Sequence, residues 1–157
     1  MGLFSKKKKD FDITKPVTNP GLKSAISIFN QTKTEANLNS VITFIKTADF
    51  LVLIYTDGLV TKPGEDGKTV FEKGSTFKFL TTFNENKEQY LPIFTDWQEI
   101  DLWVTSRENL GGWIMTAKEI FDFVLMQPAY KGIVINLMSD RWQMTSAQID
   151  TFVKEVY

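Results

Sequence analysis

An unbroken apolar run, FLVLIY at residues 50–55, constrains the fold more than any other stretch of this sequence. Asp49 precedes the run and the turn-forming pair Asp57-Gly58 follows it, so the run has the length of a single strand. It shows no alternation of apolar and polar residues, as is typical of a strand covered on both faces. The run therefore predicts a central strand in a sheet that has other elements packed on both sides.

Five segments carry the start signals of helices, each a capping residue before an apolar stripe of helical period. Asn19 followed by Pro20 marks the first start, because proline is tolerated at the first helical position. The second helix is expected over about residues 33–47. Four starts have the spacing of a capping box: Thr32 with Glu35, Thr116 with Glu119, Thr145 with Gln148, and at the remaining one either Thr95 with Gln98 or Asp96 with Glu99.

Three further strands are predicted after the central one. Residues 76–83 alternate, which would place Phe79 and Phe83, with Phe77, on one face of a strand. Residues 88–94 contain Pro92, which cannot donate a ladder hydrogen bond, so this strand should lie at a sheet edge or have its Pro92 side unpaired. Residues 131–138 are apolar and β-branched and form the last predicted strand.

Two segments rich in glycine are predicted as loops. Residues 57–75 should contain a hairpin turn at Asp66-Gly67, and residues 105–115 should form a loop hinged on Gly111-Gly112. The predicted order is then α-α-β-β-β-α-α-β-α. We expect an α/β (α+β) fold, a mixed β-sheet of about four to six strands with helices packed on its faces. Residues 1–18 are expected to be a flexible basic tail, and residues 19–157 a single globular domain.

Neither cysteine nor histidine occurs among the 157 residues. Disulfides, thiolate nucleophiles, Cys/His zinc sites and imidazole general bases are therefore impossible, which excludes Ser-His-Asp and Cys-His mechanisms. An enzyme of this composition would have to use carboxylates, lysines, tyrosines or an oxygen-ligated metal. We expect a protein that is not an enzyme and has no cofactor.

The charge is distributed unevenly, although the formal net charge is only −1. The N-terminal segment carries four consecutive lysines, Lys6, Lys7, Lys8 and Lys9. With Leu3 and Phe4 they allow at most weak peripheral membrane contact, and Lys6 stands where N-myristoylation requires Ser or Thr. The mildly acidic remainder does not suit nucleic-acid binding. No apolar run is long enough to span a bilayer, so a cytoplasmic location is expected.

The corner YLPIFTDWQEIDLW, residues 90–103, joins a strand to a helix and carries two tryptophans. Thr95 and Asp96 are alternative helix caps, and Trp97 begins an aromatic stripe along the helix. Core packing and a partner surface remain alternatives for these aromatics. The candidate partner surface comprises Pro92, Phe94, Asp96, Trp97 and Trp103. On the partner hypothesis, Trp97→Ala removes binding with little change in melting temperature, whereas a core role would cause a large loss of stability.

Two sets of polar residues are candidate small-molecule sites. Asp96 and Glu99 share a helix face, as paired catalytic carboxylates would, but acids in a first turn are expected from the helix dipole alone. Residues 139–145, SDRWQMT, follow the last predicted strand, where open α/β sheets often bind ligands. Arg141 and Trp142 form the candidate ligand or anion site, since arginine binds carboxylate or phosphate; stacking of Arg141 on the tryptophan is the alternative.

The chain resembles the N-terminal domain of the SseB protein family. The resemblance rests on TEANLNSVITFIKTADFLVLIY, the DGKT turn, the corner YLPIFTDWQEIDLW and the later GIVINL, and it covers roughly residues 35–150. The family is named for a serine-sensitivity phenotype, and the resemblance implies no assigned reaction, cofactor or catalytic residue. Longer members continue into a second domain, so a stand-alone first domain is expected. The family's frequent Asp-Gly hairpin reads NENKEQY here, with Asn86 the expected left-handed residue.

Three classes of function remain. A non-catalytic protein-interaction or regulatory module with an unidentified protein partner is favoured by the missing His and Cys and by the aromatic corner. A small-ligand sensor, for an anion or an amino-acid-like molecule, needs a concave polar pocket near Arg141 or Gly111-Gly112. A carboxylate-based hydrolase needs two acids that converge in a cleft and have perturbed pKa values.

Overall fold

The computed structural model describes residues 17–57, 61–63, 69–71 and 78–157. Within these residues helices and strands are interspersed, which confirms the predicted α/β class. In chain order the elements are α1 (Pro20–Gln31), α2 (Glu35–Lys46), β1 (Asp49–Tyr55), β2 (Thr61–Pro63), β3 (Thr69–Phe71), β4 (Lys78–Phe79), β5 (Thr82–Phe83), β6 (Gln89–Ile93), α3 (Trp97–Trp103), β7 (Leu110–Thr116), α4 (Ala117–Met126), β8 (Tyr130–Ile135), β9 (Trp142–Thr145) and α5 (Ser146–Val156).

Two sheets meet at β1 and β6. The first has the order β4-β1-β7 and the second the order β5-β6-β8-β9, while β2 and β3 pair with each other. The pair β6–β8 is parallel and the other pairs of named strands are antiparallel, so the arrangement is mixed, as predicted. Leu51 and Phe94 exchange two backbone hydrogen bonds, each 2.9 Å long, and these link the first sheet to the second.

Strand β1 is central and buried on both faces, as the run FLVLIY predicts. Phe50 and Val52 enter a large apolar cluster that α1, α2, α4 and α5 complete. Leu51 and Leu53 enter a smaller cluster that α3 completes through Ile100. Because successive residues of a strand point to opposite faces, the sheet has four helices on one side and α3 on the other.

The prediction of a loop at residues 105–115 is wrong over most of its length. β7 pairs with every residue of β1, from Asp49 opposite Thr116 to Tyr55 opposite Leu110. The Gly111-Gly112 pair, a turn signal in the sequence, lies inside this strand. The sequence also predicts no strand at β9, which pairs with β8 over four residues.

The segment 76–83 contains two short strands instead of one alternating strand. β4 pairs with β1, and β5 pairs with β6, so the chain crosses from one sheet to the other between them. Leu80, at the crossing, is buried in the smaller cluster. Phe79 packs against the larger cluster whereas Phe83 is 61% exposed, so the prediction that they share one face of a strand is wrong.

The strand that contains Pro92 is not at a sheet edge, because β6 lies between β5 and β8. The other alternative, an unpaired Pro92 side, agrees with the backbone. Ile93 accepts a hydrogen bond from the residue that follows β8, whereas Phe94 bonds to β1 on the opposite side. The backbone of Pro92, two residues before Phe94, faces the same way, so its nitrogen points away from β8. On that side Pro92 lies between the residues that pair with β5 and the residue that pairs with β1, where no N–H is needed.

Two of the predicted caps are confirmed as capping boxes, Thr116 with Glu119 and Thr145 with Gln148. Thr34, and not Thr32, caps α2 by accepting a hydrogen bond from the backbone of Asn37. Asp96 caps α3, which settles the alternative between Thr95 and Asp96. Asn19 has the predicted N-cap position, but its side chain bonds elsewhere.

Several predictions fall on residues outside the described ranges. These include the basic tail up to residue 16, with Lys6, Lys7, Lys8 and Lys9, and the Asp66-Gly67 turn, although the flanking β2 and β3 do pair antiparallel. In the hairpin between β5 and β6 the residue with left-handed backbone is Lys87, at φ 60°, so the expectation of Asn86 is wrong. In the described ranges, no helix combines the length and apolarity that a membrane span requires.

Gly132 permits the close approach of β9 to β8. Its φ is +156°, and a Cβ at this position would overlap the carbonyl oxygen of Met144 and lie 2.9 Å from Thr145 Cα. We expect Gly132→Ala to lower the free energy of unfolding by at least about 2 kcal/mol, measured by urea denaturation. Gly111→Ala is the control, because its Cβ would meet Thr56 Cγ2 at 3.3 Å. Equal losses in the two variants would contradict this account of Gly132.

Candidate functional site

Buried polar side chains meet at the carboxyl ends of the parallel strands β6 and β8. Thr95 follows β6 and is 0% exposed, while Asn136 follows β8 and is 2% exposed, with a left-handed backbone at φ 50°. The Thr95 backbone N–H donates to Asn136 Oδ1 at 3.1 Å, and Asn136 Nδ2 donates to Thr95 Oγ1 at 2.9 Å. Asparagine tolerates the left-handed conformation better than most residues, which explains its presence here.

A lysine and two carboxylates extend this polar group. Lys23 Nζ, from α1, lies 3.1 Å from Asp96 Oδ2 and 2.9 Å from Glu99 Oε1. The Glu99 residue is only 5% exposed, and Ser139 Oγ donates to Glu99 Oε2 at 2.6 Å. Asn19 Nδ2 donates to the backbone carbonyls of Asp49 and Thr95, each at 2.9 Å. We call these residues the corner network: Asn19, Lys23, Thr95, Asp96, Glu99, Asn136 and Ser139.

Charge pairing outweighs burial in the corner network. Burial acts to lower the pKa of Lys23, but the hydrogen bonds and charges of Glu99 and Asp96 leave this pKa above its ordinary value. Burial acts to raise the pKa of Asp96, but the Glu99 backbone N–H and the Lys23 ammonium leave it below its ordinary value. Both groups therefore stay charged at neutral pH, and each is bound by its neighbours.

The candidate partner surface is only partly accessible. Pro92 and Phe94 are buried, and a partner cannot reach them in this structure. Trp103 is partly buried and stacks on Phe94 with ring centroids 5.9 Å apart. Asp96 is tied to Lys23, as described above. The core alternative thus accounts for two of these residues completely and for Trp103 in part.

Trp97 is held between two groups. Its ring contacts Gly112, where an added Cβ would come within 2.6 Å of Trp97 Cζ2. The second group is the Arg107 guanidinium, which lies 4.4 Å from the centroid of the Trp97 ring. Arg107 also binds Asp101 at 2.6 Å. The ring packs against the smaller apolar cluster. Trp97 therefore contributes to packing, and it accounts for the glycine in the middle of β7.

Arg141 lines a concave pocket on the sheet face opposite the four helices. The pocket has a volume of about 350 Å³, and we call it the polar pocket; Phe83, Glu85, Asn86, Arg141 and Gln143 line it, with Tyr90 and Val134. The predicted need for a polar pocket near Arg141 is thus met. The stacking alternative is not observed in the described ranges, where the arginine over a tryptophan is Arg107.

Trp142 faces a different cavity. An apolar groove of about 410 Å³ runs between α2, β9 and α5, and we call it the α2–α5 groove; Leu38, Ile42, Trp142, Met144, Phe152 and Glu155 line it. Trp142 packs edge-on against Phe29 with ring centroids 4.9 Å apart. Its indole N–H is buried and has no hydrogen-bond partner within the described ranges. Arg141 and Trp142 therefore belong to separate cavities and do not form one site.

The free edge of β9 lies beside the α2–α5 groove. In the described part of the chain β9 pairs with β8 alone. The Thr145 N–H donates to the side chain of Gln148, and the Arg141 carbonyl accepts from Asn30, so both point away from β8. Backbone groups alternate along an antiparallel strand, and Gln143 shares this orientation. Its N–H and C=O therefore face outwards, and the residue borders both cavities.

Several residues of these sites carry no signal in the sequence alone. Lys23 on α1 and Asn19 just before it lie far along the chain from the corner, and Asn136 follows a strand without any motif. The one available signal for Asn136 is an asparagine directly after an apolar strand. Within the described ranges, no group of three or more acidic, histidine or cysteine side chains is placed to hold a metal ion.

A comparison with family models matches residues 22–150 to the SseB protein N-terminal domain. The match covers most of the chain and agrees with the resemblance of the corner and of the strand FLVLIY. Neither a curated protein nor a solved structure matches the chain significantly.

Replacing Lys23 by methionine leaves Asp96 and Glu99 without their shared cation. The Lys23 side chain is 34% exposed, so solvent screens part of each ion pair. We expect the free energy of unfolding at neutral pH to fall by about 1–2 kcal/mol in urea denaturation. Lys154→Met, which breaks an exposed pair with Asp150, is the control and should cost less than about 0.5 kcal/mol.

The pH dependence of this difference has a defined sign. The stability from Asp96 is present above its ordinary pKa of 3.8 and is lost as the pH falls through the lower folded-state pKa. The stability from Lys23 is present below its ordinary pKa of 10.5 and is lost as the pH rises through the higher folded-state pKa. The wild type and Lys23→Met should therefore differ most between these values. A difference in stability that does not shrink as the pH falls below 3.8 or rises above 10.5 would refute the pairing.

Proposed function

The chain belongs to the SseB protein N-terminal domain family, and we propose that it is a non-catalytic, cytoplasmic protein-interaction module. The proposal commits to a site and to an occupant. The site is the α2–α5 groove with the adjoining edge of β9. The occupant is a short extended apolar segment of a partner protein.

The observation that carries this proposal is an apolar groove beside a strand edge that no other described strand pairs with. The groove volume, about 410 Å³, lies within the usual range of ligand sites. Met144 and Phe152, both buried, belong to its lining, with Ile42 partly exposed above them. Apolar side chains of a partner gain free energy by leaving water for such a groove.

The edge of β9 favours an extended occupant over a helical one. The outward N–H and C=O of Gln143 offer one pair of hydrogen bonds to a partner backbone, as in strand addition to a sheet edge. Alternate side chains of an extended segment point the same way, so one set enters the groove and the other faces solvent. A helical segment has no free backbone groups for Gln143.

The charge at the rim favours a basic residue in the occupant. Glu155 lines the groove, and none of the ion pairs in the described part of the chain involves it. The other charges of α5 near it, Asp150 and Lys154, neutralise each other at 2.6 Å. A lysine or arginine beside the apolar positions of the partner therefore complements this rim.

The converging acids of the corner network do not favour the hydrolase alternative. Lys23 binds both Asp96 and Glu99, and Ser139 binds the second oxygen of Glu99. A general acid at neutral pH requires a raised pKa, whereas the pKa of Asp96 is lowered. The arrangement supports a stabilising role for this acid pair.

Selection of a random linear peptide library on the purified protein tests the proposal. We expect enriched peptides with apolar residues at alternate positions and a basic residue next to them. Thr151→Arg places a bulky cation in the groove, because Thr151 is an exposed lining residue on α5. This variant should weaken binding of the selected peptides at least tenfold, or roughly 1.4 kcal/mol.

Thr43→Arg is the matched control. Thr43 on α2 is also an exposed helical threonine whose hydroxyl donates to the carbonyl four residues earlier, and it does not line the groove. The Thr43→Arg variant should bind the selected peptides as tightly as the wild type does. Peptides that bind Thr151→Arg and Thr43→Arg equally, or a selection that enriches no such peptides, would reject the groove as the interaction site.

A further inference from the structure

The polar pocket lies on the other face of the sheet from the α2–α5 groove and plays no part in the interaction proposed above. Its floor is apolar, because Tyr90 and Val134 are both buried residues of the sheet. Its walls are polar and charged. A small molecule that binds here needs an apolar or neutral middle and polar ends.

The two charged lining residues have opposite signs, and neither has an ionic partner among the described residues. Arg141 and Glu85 are both exposed, and the ion pairs of the described ranges include neither. A simple anion would be attracted by Arg141 and repelled by Glu85. A zwitterion with its carboxylate at Arg141 and its ammonium at Glu85 satisfies both charges.

The topology separates these charges. Glu85 lies in the turn that enters β6, and Arg141 lies in the segment that leaves β8, which are opposite ends of two parallel strands. They also flank opposite sides of the sheet, since β5 and β9 are three strand spacings, or roughly 14 Å, apart, and the distance along the strands adds to this separation. The long side chains shorten this span, but the two ends of the ligand still have to be several bonds apart.

Amide side chains also line the pocket. Asn86 and Gln143 are exposed and line the pocket, and an amide offers both donors and an acceptor. Peptide groups need the same combination. The hairpin that carries Asn86 is held in place by Asn84, whose side-chain oxygen accepts from the backbone of Asn86 and Glu88 at 3.0 and 2.9 Å.

From this arrangement we propose that the polar pocket binds a short peptide with free ends, its carboxylate at Arg141 and its ammonium at Glu85. An extended tripeptide spans roughly 10 Å at about 3.4 Å per residue, so the long Arg141 and Glu85 side chains have to extend over the pocket to meet its two ends. The pocket volume of about 350 Å³ lies near the lower end of ligand sites, which suits a short peptide. The module thereby gains a small-ligand input that is distinct from its protein groove.

Calorimetric titration with trialanine tests the proposal on the full-length protein. We expect trialanine with free ends to bind, and its N-acetylated and C-amidated forms to bind at least about tenfold more weakly, because each loses one charge contact. Single alanine should bind more weakly than trialanine, since it cannot reach both charges. Alanine that binds as tightly as trialanine, or trialanine that does not bind, would overturn the proposal.

Variants assign each end of the peptide. In Arg141→Gln, amidation of the peptide should not weaken binding further, because the contact of its carboxylate is already lost. In Glu85→Gln, acetylation should likewise have no further effect, because the contact of its ammonium is already lost. Lys118→Gln and Glu108→Gln remove one charge each outside the pocket and should retain the full effect of both caps. Independent, additive effects of capping and of the Arg141 or Glu85 substitution would show that the charges do not meet the peptide ends.

Discussion

Two backbone hydrogen bonds between Leu51 and Phe94 make one structural unit of two sheets. Beyond this bridge, β1 continues alongside β4, and the chain of β6 turns at once into the corner network and α3. The helices α1, α2, α4 and α5, on the face opposite α3, cover both sheets and therefore depend on the same junction. Asn19 reinforces it from α1, since its side chain binds a carbonyl at the start of β1 and another just after β6. The conspicuous corner of the sequence is thus the joint of the fold.

β9 has the opposite character, because it terminates the sheet and carries its candidate binding surfaces. Trp142 and Met144 line the groove toward the helices, whereas Arg141 lines the pocket on the far face. Gln143 lines both cavities and leaves its backbone groups at the edge. Gly132 makes this possible, because a side chain there would push β9 away from β8. A four-residue strand thereby separates two cavities of different chemistry.

The features that depend on local chemistry could be predicted from the sequence. FLVLIY is a central strand, two capping boxes form as expected, and Pro92 leaves its missing N–H away from β8. The failures arise where a distant contact overrides a local signal. Gly112 suggests a turn, but it pairs with Leu53 inside β7, and it is a glycine because the Trp97 ring occupies the space of a side chain. Asn19 has a cap position, but distant carbonyls bind its amide, and the corner network therefore could not be anticipated from spacing.

The long pairing of β1 with β7 also shapes how the chain acquires its structure. β1 is among the most apolar segments, yet the strand that pairs with its whole length follows only after β2 to β6 and α3. Pairings between strands so distant in sequence form slowly, because the intervening chain must be ordered first. As the chain emerges from the ribosome, FLVLIY therefore has unpaired backbone groups until residues 110–116 are available. Unpaired apolar strands of this kind associate with other chains, so this segment is exposed to aggregation during synthesis until β7 pairs with it.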